Sequence, residues 1–303
     1  MKLTTATRVA IALVLCAAVA SCGGASRDGG DASAPTTAAA ALGGAQFTGP
    51  GSPGTIYVVV KPGTSPVADL YRVRGALPSA RRLTKGANVS LVTARGGAVV
   101  VSYAPGSGGD RVAALNLRGT SVLPGRPVDD FGQTPALSGD GRVAYGQPQY
   151  TDAGDDAGAR VYVARVDGGG QRVAYSARYQ LSLGWTSRDE LAIARYEGNR
   201  IVVNPRGPHR RTIDPGLDKI YTFQSNARGD MWAVGADTVA VIRKGGKARR
   251  FKTAWVPVSW SPDGRSILVV TDHRLGLMAP GDGAVREIGQ VRNGRIAYAT
   301  YAR

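Results

Sequence analysis

The sequence predicts an all-β protein, folded as a six-bladed β-propeller with four antiparallel strands in each blade. From Thr55 onwards, short apolar and β-branched runs alternate with turn residues about every ten residues, without a helical period. Related hairpin turns recur at intervals of 45, 48, 40 and 35 residues, at Gly96, Gly141, Asp189, Gly229 and Gly264. Four-stranded units of this length are typical of propeller blades.

The first 21 residues predict a signal peptide. Lys2 and Arg8 form a positive start, and the apolar run of residues 9–20 is too short to span a bilayer. The run leads into Val19, Ala20, Ser21 and Cys22. This sequence resembles the bacterial lipobox, in which small residues admit the peptidase and the cysteine thiol then carries diacylglycerol. An ordinary secretory signal with an incidental cysteine is the alternative.

Residues 22–54 predict a lipidated cysteine followed by a flexible tether. They are Gly, Ala, Ser, Thr, Pro and Asp with few large apolar side chains, so they cannot build a core. Without the signal peptide, 36 basic and 22 acidic residues and a single cysteine remain, which excludes an internal disulfide. The propeller domain is expected over residues 55–303, and no later segment is apolar enough for a transmembrane helix.

The clearest repeat unit lies near the end of the chain. Its four strands are expected at residues 256–260, 267–271, 275–278 and 285–288. Its first turn reads Trp260-Ser261-Pro262-Asp263-Gly264 and resembles the WD40-like repeat of TolB-type six-bladed propellers. Together with the lipobox, the repeat resembles exported lipoproteins of the actinobacterial type. The resemblance implies a six-bladed propeller.

Five complete units account for residues 88–288, and both chain ends supply fragments of a sixth. The N-terminal fragment has three strands (residues 55–60, 68–74 and 81–84), and the C-terminal fragment has one (residues 295–301). We expect the last strand to pair beside residues 55–60, because this closure ties the termini together and removes open sheet edges. A sandwich of two sheets is the alternative architecture.

Residues for catalysis are scarce. The two histidines, His209 and His273, fall in separate loops, and the three glutamates are scattered. The Asp-rich loop 152–158 lacks the spacing of an EF-hand, so neither a metal site nor a cofactor is expected. These observations favour a non-enzymatic binding or scaffold module. The alternative, an envelope glycan hydrolase or lyase, needs Asp, His or Tyr side chains around the channel mouth.

Charge offers a candidate interaction surface. First hairpin turns carry Arg95, Arg142, Arg188, Arg228 and Arg265, and acidic residues are expected in the loops at the other face. The candidate contacts to an anionic surface are Arg243, Lys244, Lys247, Arg249 and Arg250. Such charge attracts anionic lipid or wall polymer. A merely basic surface with solvated turns is the alternative.

The expected protein is a monomer on the extracytoplasmic side of the cell membrane, held there by its lipid anchor. Its partner is expected to be an envelope protein or an anionic polymer. Nucleic acid is not expected, because an exported protein does not meet it and no aromatic stacking platform accompanies the basic turns.

Overall fold

The computed structural model describes residues 45–63, 65, 67–95, 98–104, 111–115, 126–127, 135–150, 156–178, 181–195 and 198–302. Within these ranges the secondary structure is β-strand apart from one short 3-10 helix, Leu77–Ser79. None of the helical structure in these ranges is long and apolar enough to cross a membrane.

Six antiparallel sheets form the six blades, numbered here from the blade that closes the ring. The first strand of the described residues is β1 (Gln46–Thr48). Blade 1 then contains β2 (Ser52–Pro62), β3 (Asp69–Gly75) and β4 (Arg81–Arg82). Blade 2 contains β5 (Val89–Arg95), β6 (Ala98–Tyr103), β7 (Arg111–Leu115) and β8 (Arg126–Pro127). Blade 3 contains β9 (Ala136–Leu137), β10 (Arg142–Tyr150), β11 (Asp156–Arg165) and β12 (Arg172–Ala177).

The second half of the chain continues the meander. Blade 4 contains β13 (Leu181–Trp185), β14 (Leu191–Arg195), β15 (Ile201–Val203) and β16 (Arg211–Ile213). Blade 5 contains β17 (Thr222–Ser225), β18 (Met231–Val234), β19 (Thr238–Ile242) and β20 (Ala248–Lys252). Blade 6 contains β21 (Val256–Trp260), β22 (Ile267–Val270), β23 (Arg274–Met278) and β24 (Val285–Arg292). The last strand, β25 (Gly294–Tyr301), completes blade 1.

The predicted six-bladed propeller is confirmed, and the sandwich alternative is wrong. The closing blade has the strand order β25-β2-β3-β4, so both chain ends build it. Ile56 faces Tyr301 and Lys61 faces Arg295 in the antiparallel register between β2 and β25. The Tyr301 hydroxyl also donates a hydrogen bond to Ser52, which ties the two termini together through buried side chains.

Neighbouring blades pack face to face. The described residues form six apolar clusters, one at each interface between two blades. Between blades 5 and 6, Trp232 and Trp260 are each at most 1% exposed, and the Trp260 indole donates to the main-chain oxygen of Gln224. Because both faces of a blade are covered, its inner strands are apolar along their length.

One strand lies outside the predicted domain boundary. β1 adds a fifth strand to the outer edge of blade 6, with Phe47 opposite Val291, although residues 22–54 were expected to be tether. Phe47 is 6% exposed and its ring centre lies 5.2 Å from that of Tyr71 in blade 1. Gly51 follows with φ 72°, where a Cβ atom would lie 1.9 Å from the carbonyl oxygen of Gly75. The propeller therefore includes residues that precede the predicted domain boundary at residue 55.

The antiparallel meander gives the disc two distinct ends. We call the end with the turns between first and second and between third and fourth strands the turn end. The opposite end, with the remaining connections, is the loop end. The first hairpin turns of blades 3 to 6, which the structure describes, therefore lie at the same end of the disc, as the sequence predicted.

Candidate interaction site

The axis of the propeller encloses a cavity of about 40 Å³ between the inner strands. Its wall includes Thr93, Gln224, Trp232 and Tyr298, and Arg95 at the turn end is the charged residue among those that line it. A cavity of this size holds roughly two or three water molecules. The described lining residues include no Asp, Glu or His, so they offer no pair of groups for acid–base chemistry.

The two histidines lie at opposite ends of the disc. His209 is exposed in the turn between β15 and β16, at the turn end. His273 follows β22 at the loop end, where its Nδ1 lies 2.8 Å from the carbonyl oxygen of Gly294. In the part of the chain that the structure describes, no three His, Cys, Asp or Glu side chains group as metal ligands.

The first hairpin turns carry their own carboxylates, so their arginines do not form a uniformly basic face. Arg142 Nε lies 2.9 and 2.8 Å from the two carboxylate oxygens of Asp140, and this hydrogen bonding is the main cause of the lowered pKa of Asp140. Asp263 also has a lowered pKa, chiefly because the Ser261 hydroxyl donates to it. These carboxylates lie at the turn end, beside the arginines.

Asp189 links three blades at the turn end. It has φ 56°, in the left-handed region that Gly141, Gly229 and Gly264 occupy in the equivalent turns. Its carboxylate accepts a hydrogen bond from the main-chain N–H of Gly139 in blade 3 and pairs with Arg95 of blade 2 at 3.5 Å. The sequence signal for this role was an aspartate in a position where the repeat has glycine.

The five predicted anionic-surface contacts are not one cluster. Arg243, Lys244 and Lys247 lie in the exposed turn between β19 and β20, at the turn end. Arg249 and Arg250, on β20, reach to opposite sides and donate to the carbonyl oxygens of Gly281 and Gly216. The last two residues brace blade 5 against its neighbours, because alternate side chains of a strand point in opposite directions.

Within the exposed turn, Arg243 forms an ion pair with a carboxylate, whereas the two lysines do not. Arg243 donates to Asp230 at 2.8 Å, and the main-chain N–H of Lys244 donates to the same carboxylate at 3.0 Å. Neither Lys244 nor Lys247 forms an ion pair with any carboxylate of the described residues. We refer to Arg243, Lys244 and Lys247 as the basic turn.

Basic side chains also occupy the loop end, which the sequence assigned to acidic loops. Of the aspartates expected in those loops, Asp214, Asp218 and Asp272 lie there, and Asp156 begins β11 at the same end. Asp110, Asp129, Asp130, Asp152 and Asp155 fall outside the described residues. Lys61, Lys219, Arg274 and Arg295 share this end. Cys22 and Val19, Ala20 and Ser21, the residues of the predicted lipobox, also fall outside the described residues.

Asp230 provides a test of the network that holds the basic turn. Burial by itself raises the pKa of Asp230, but hydrogen bonds from Lys244 N–H, Arg243 and Asn226 outweigh it, so the pKa lies below 3.8. Because folding lowers the pKa of Asp230, its charged carboxylate stabilises the fold at pH values above the unfolded-state pKa. Its contribution is lost as the pH falls through the folded-state pKa.

We expect Asp230→Asn to lower the free energy of unfolding by about 2 kcal/mol near neutral pH, because charge-assisted hydrogen bonds are lost. The difference from the wild type should shrink in acid, where Asp230 itself becomes protonated. Urea unfolding across a pH series measures this. Asp218→Asn, at an exposed position, is the matched control and should change little. A difference that is independent of pH would contradict the assignment.

Comparison with known proteins supports the fold. No protein-family model matches the chain, and no curated protein matches it. TolB from Acinetobacter baumannii superposes with a TM-score of 0.66 at 13% identity, over 82% of this chain and 66% of that chain. A chain of a nidogen/laminin complex superposes with a TM-score of 0.61 at 13% identity, over 82% of this chain and 99% of that chain. A protein of unknown function from Bacteroides caccae superposes with a TM-score of 0.56 at 11% identity, over 83% of this chain and 100% of that chain. Identities this low show a shared propeller fold alone.

Proposed function

We propose that this chain is an exported lipoprotein whose propeller is a non-enzymatic binding or scaffold module of the cell envelope. The observation that carries the proposal is the lipobox at residues 19–22, placed ahead of a complete six-bladed propeller. Cleavage before Cys22 and lipidation of its thiol anchor the chain on the extracytoplasmic side of the membrane. An anchor with two or more acyl chains gives stable attachment.

The geometry of the propeller favours binding over catalysis. The axial cavity is small, and Trp185, which lines it, already donates its indole N–H to Ala136 O. The exposed lysines of the basic turn, by contrast, are presented to solvent. An exposed turn on a rigid blade suits recognition of a partner.

The partner proposed for the basic turn is an envelope protein or an anionic polymer. Two exposed glycines, Gly245 and Gly246, lie between Lys244 and Lys247 in the turn and let a partner approach the backbone closely. Opposite charge on the partner strengthens the encounter and makes it sensitive to salt. The module is proposed to act as a monomer.

We expect Lys244→Ser/Lys247→Ser to weaken binding of the unlipidated chain to lipid-extracted envelopes by several fold. Co-sedimentation measures the bound fraction, and protease treatment of the envelopes separates a protein partner from a polymer. The matched control, Lys219→Ser/Lys252→Ser, removes two exposed charges from the loop end of the same blade. Equal binding of the wild type and the basic-turn variant would contradict the proposal.

A further inference from the structure

The point where the chain leaves the propeller lies at the loop end. β1 runs antiparallel to β24, with Gln46 opposite Arg292 at the end of β24 and Thr48 opposite Gln290. β24 runs from the turn end to the loop end, so Gln46 lies at the loop end and the chain before it departs from there. Any anchor at Cys22 is therefore attached to the outer rim of blade 6, at the end of the disc opposite the basic turn.

Four cations lie at this end of the disc, on strands of blades 6 and 1, and we call them the rim cluster. Arg292 faces Gln46, and Arg274 faces Gln290 on the neighbouring strand. Lys61 and Arg295 face each other across β2 and β25, beside the turn that joins β24 to β25. The rim cluster is thus Lys61, Arg274, Arg292 and Arg295. It combines residues from blades 1 and 6, which only the closure of the ring brings together.

Carboxylates balance the rim cluster weakly. Arg274 lies 3.6 Å from Glu287 and Arg295 lies 3.9 Å from Asp272, with the arginine side chains 60% and 56% exposed. Pairs this long and this exposed contribute little. Lys61 and Arg292 have no ion-pair partner among the described residues. Like charges directly opposite on paired strands, as at Lys61 and Arg295, are unfavourable unless another group of opposite charge approaches them.

We propose that the rim cluster contacts anionic phospholipid headgroups of the membrane that holds the lipid anchor. The inference rests on the proposed lipidation, because the tether keeps this rim close to the bilayer. If residues 22–44 are the flexible tether that their composition predicts, they would span roughly 24–29 Å, which is short enough to favour the end of the disc where β1 begins. Charges act over about 8 Å at physiological salt, so only those at the rim nearest the bilayer contribute.

In this arrangement the two ends of the disc bind different targets. The rim cluster orients the loop end toward the membrane, and the basic turn at the turn end then points away from it. The basic turn is left available to the envelope partner proposed above. Each Lys or Arg beside an anionic membrane strengthens binding by roughly fivefold, so two of them account for about a 25-fold effect.

The test uses the full mature chain with Cys22→Ala, which removes the lipid and makes the assay independent of lipidation. Binding is measured to phosphatidylcholine vesicles with and without phosphatidylglycerol, across a salt series. The rim variant is Lys61→Ser/Arg292→Ser. The matched control is Arg206→Ser/Arg210→Ser, which removes the same charge from the exposed turn between β15 and β16 at the turn end.

We expect the chain to bind the anionic vesicles, less so as salt rises. The rim variant should lose at least tenfold in affinity, and the control should stay within about twofold of the parent chain. No preference for anionic vesicles, an equal loss in both variants or a larger loss in the control would overturn the proposal. Failure of lipidation itself is read separately, from the lipid mass on Cys22 in the wild type.

Discussion

Removal of the last nine residues, 295–303, is expected to abolish cooperative folding. These residues form most of β25, whose Ile296, Ala299 and Tyr301 are each at most 4% exposed. Burial of each large apolar side chain contributes roughly 1.5–3 kcal/mol. The free energy lost with these side chains and with the open inner edge left on β2 approaches the whole free energy of unfolding of a domain, which is about 5–15 kcal/mol.

Circular dichroism during urea unfolding measures this effect. The matched control is a chain that begins at Gly49 and lacks β1, which is an outer strand of three residues. It should lose about 2–4 kcal/mol, chiefly from the buried Phe47, and still unfold cooperatively. If the chain ending at Gly294 unfolded at the wild-type urea concentration, the closing role of β25 would be wrong.

Replacement of Cys22 is expected to release the protein from the membrane. Cys22→Ala removes the thiol that would accept diacylglycerol, and with it the acyl chains that would give stable membrane attachment. Fractionation of cells in high-salt buffer, which screens the rim cluster, should show the variant moving from the membrane to the unbound fraction. Mass spectrometry should show lipid on the wild type alone.

Cys16→Ala is the matched control for this prediction, because Cys16 lies inside the apolar run and follows the bulky Leu15. This variant should keep both the lipid and the membrane attachment. Full membrane retention of Cys22→Ala, combined with an unmodified wild-type mass, would show that residues 19–22 are not a lipobox. The fold and the vesicle-binding assay would be unaffected by that outcome.

Local sequence signals were sufficient to predict the blades. Gly141, Gly229 and Gly264 all adopt positive φ in the first hairpin turns, which is why their spacing revealed the repeat. The complementary fragments at the chain ends likewise predicted the pairing of β2 with β25. These features depend on residues that are adjacent in sequence or on the regular spacing of the repeat units along the chain.

β1 escaped prediction because its signal is too short. Three residues with a single buried aromatic, Phe47, do not establish an alternating pattern. The strand forms because Val291, which is far away in sequence, and Tyr71 of blade 1 offer Phe47 an apolar surface. Only the tertiary structure could therefore show that β1 joins blade 6 and that Gln46 lies at the loop end.

The charges were identified by the sequence, but their partners were decided by the tertiary structure. Composition and turn spacing determined the fold class, the blade count, the closure and the presence of basic turns. The contacts between blades decided the rest: Asp189 accepts from Gly139, 50 residues earlier, and Arg249 reaches Gly281, 32 residues later. Local patterns specify strands and turns because those depend on neighbouring residues, whereas the neutralisation or exposure of a charge depends on which distant blade lies beside it.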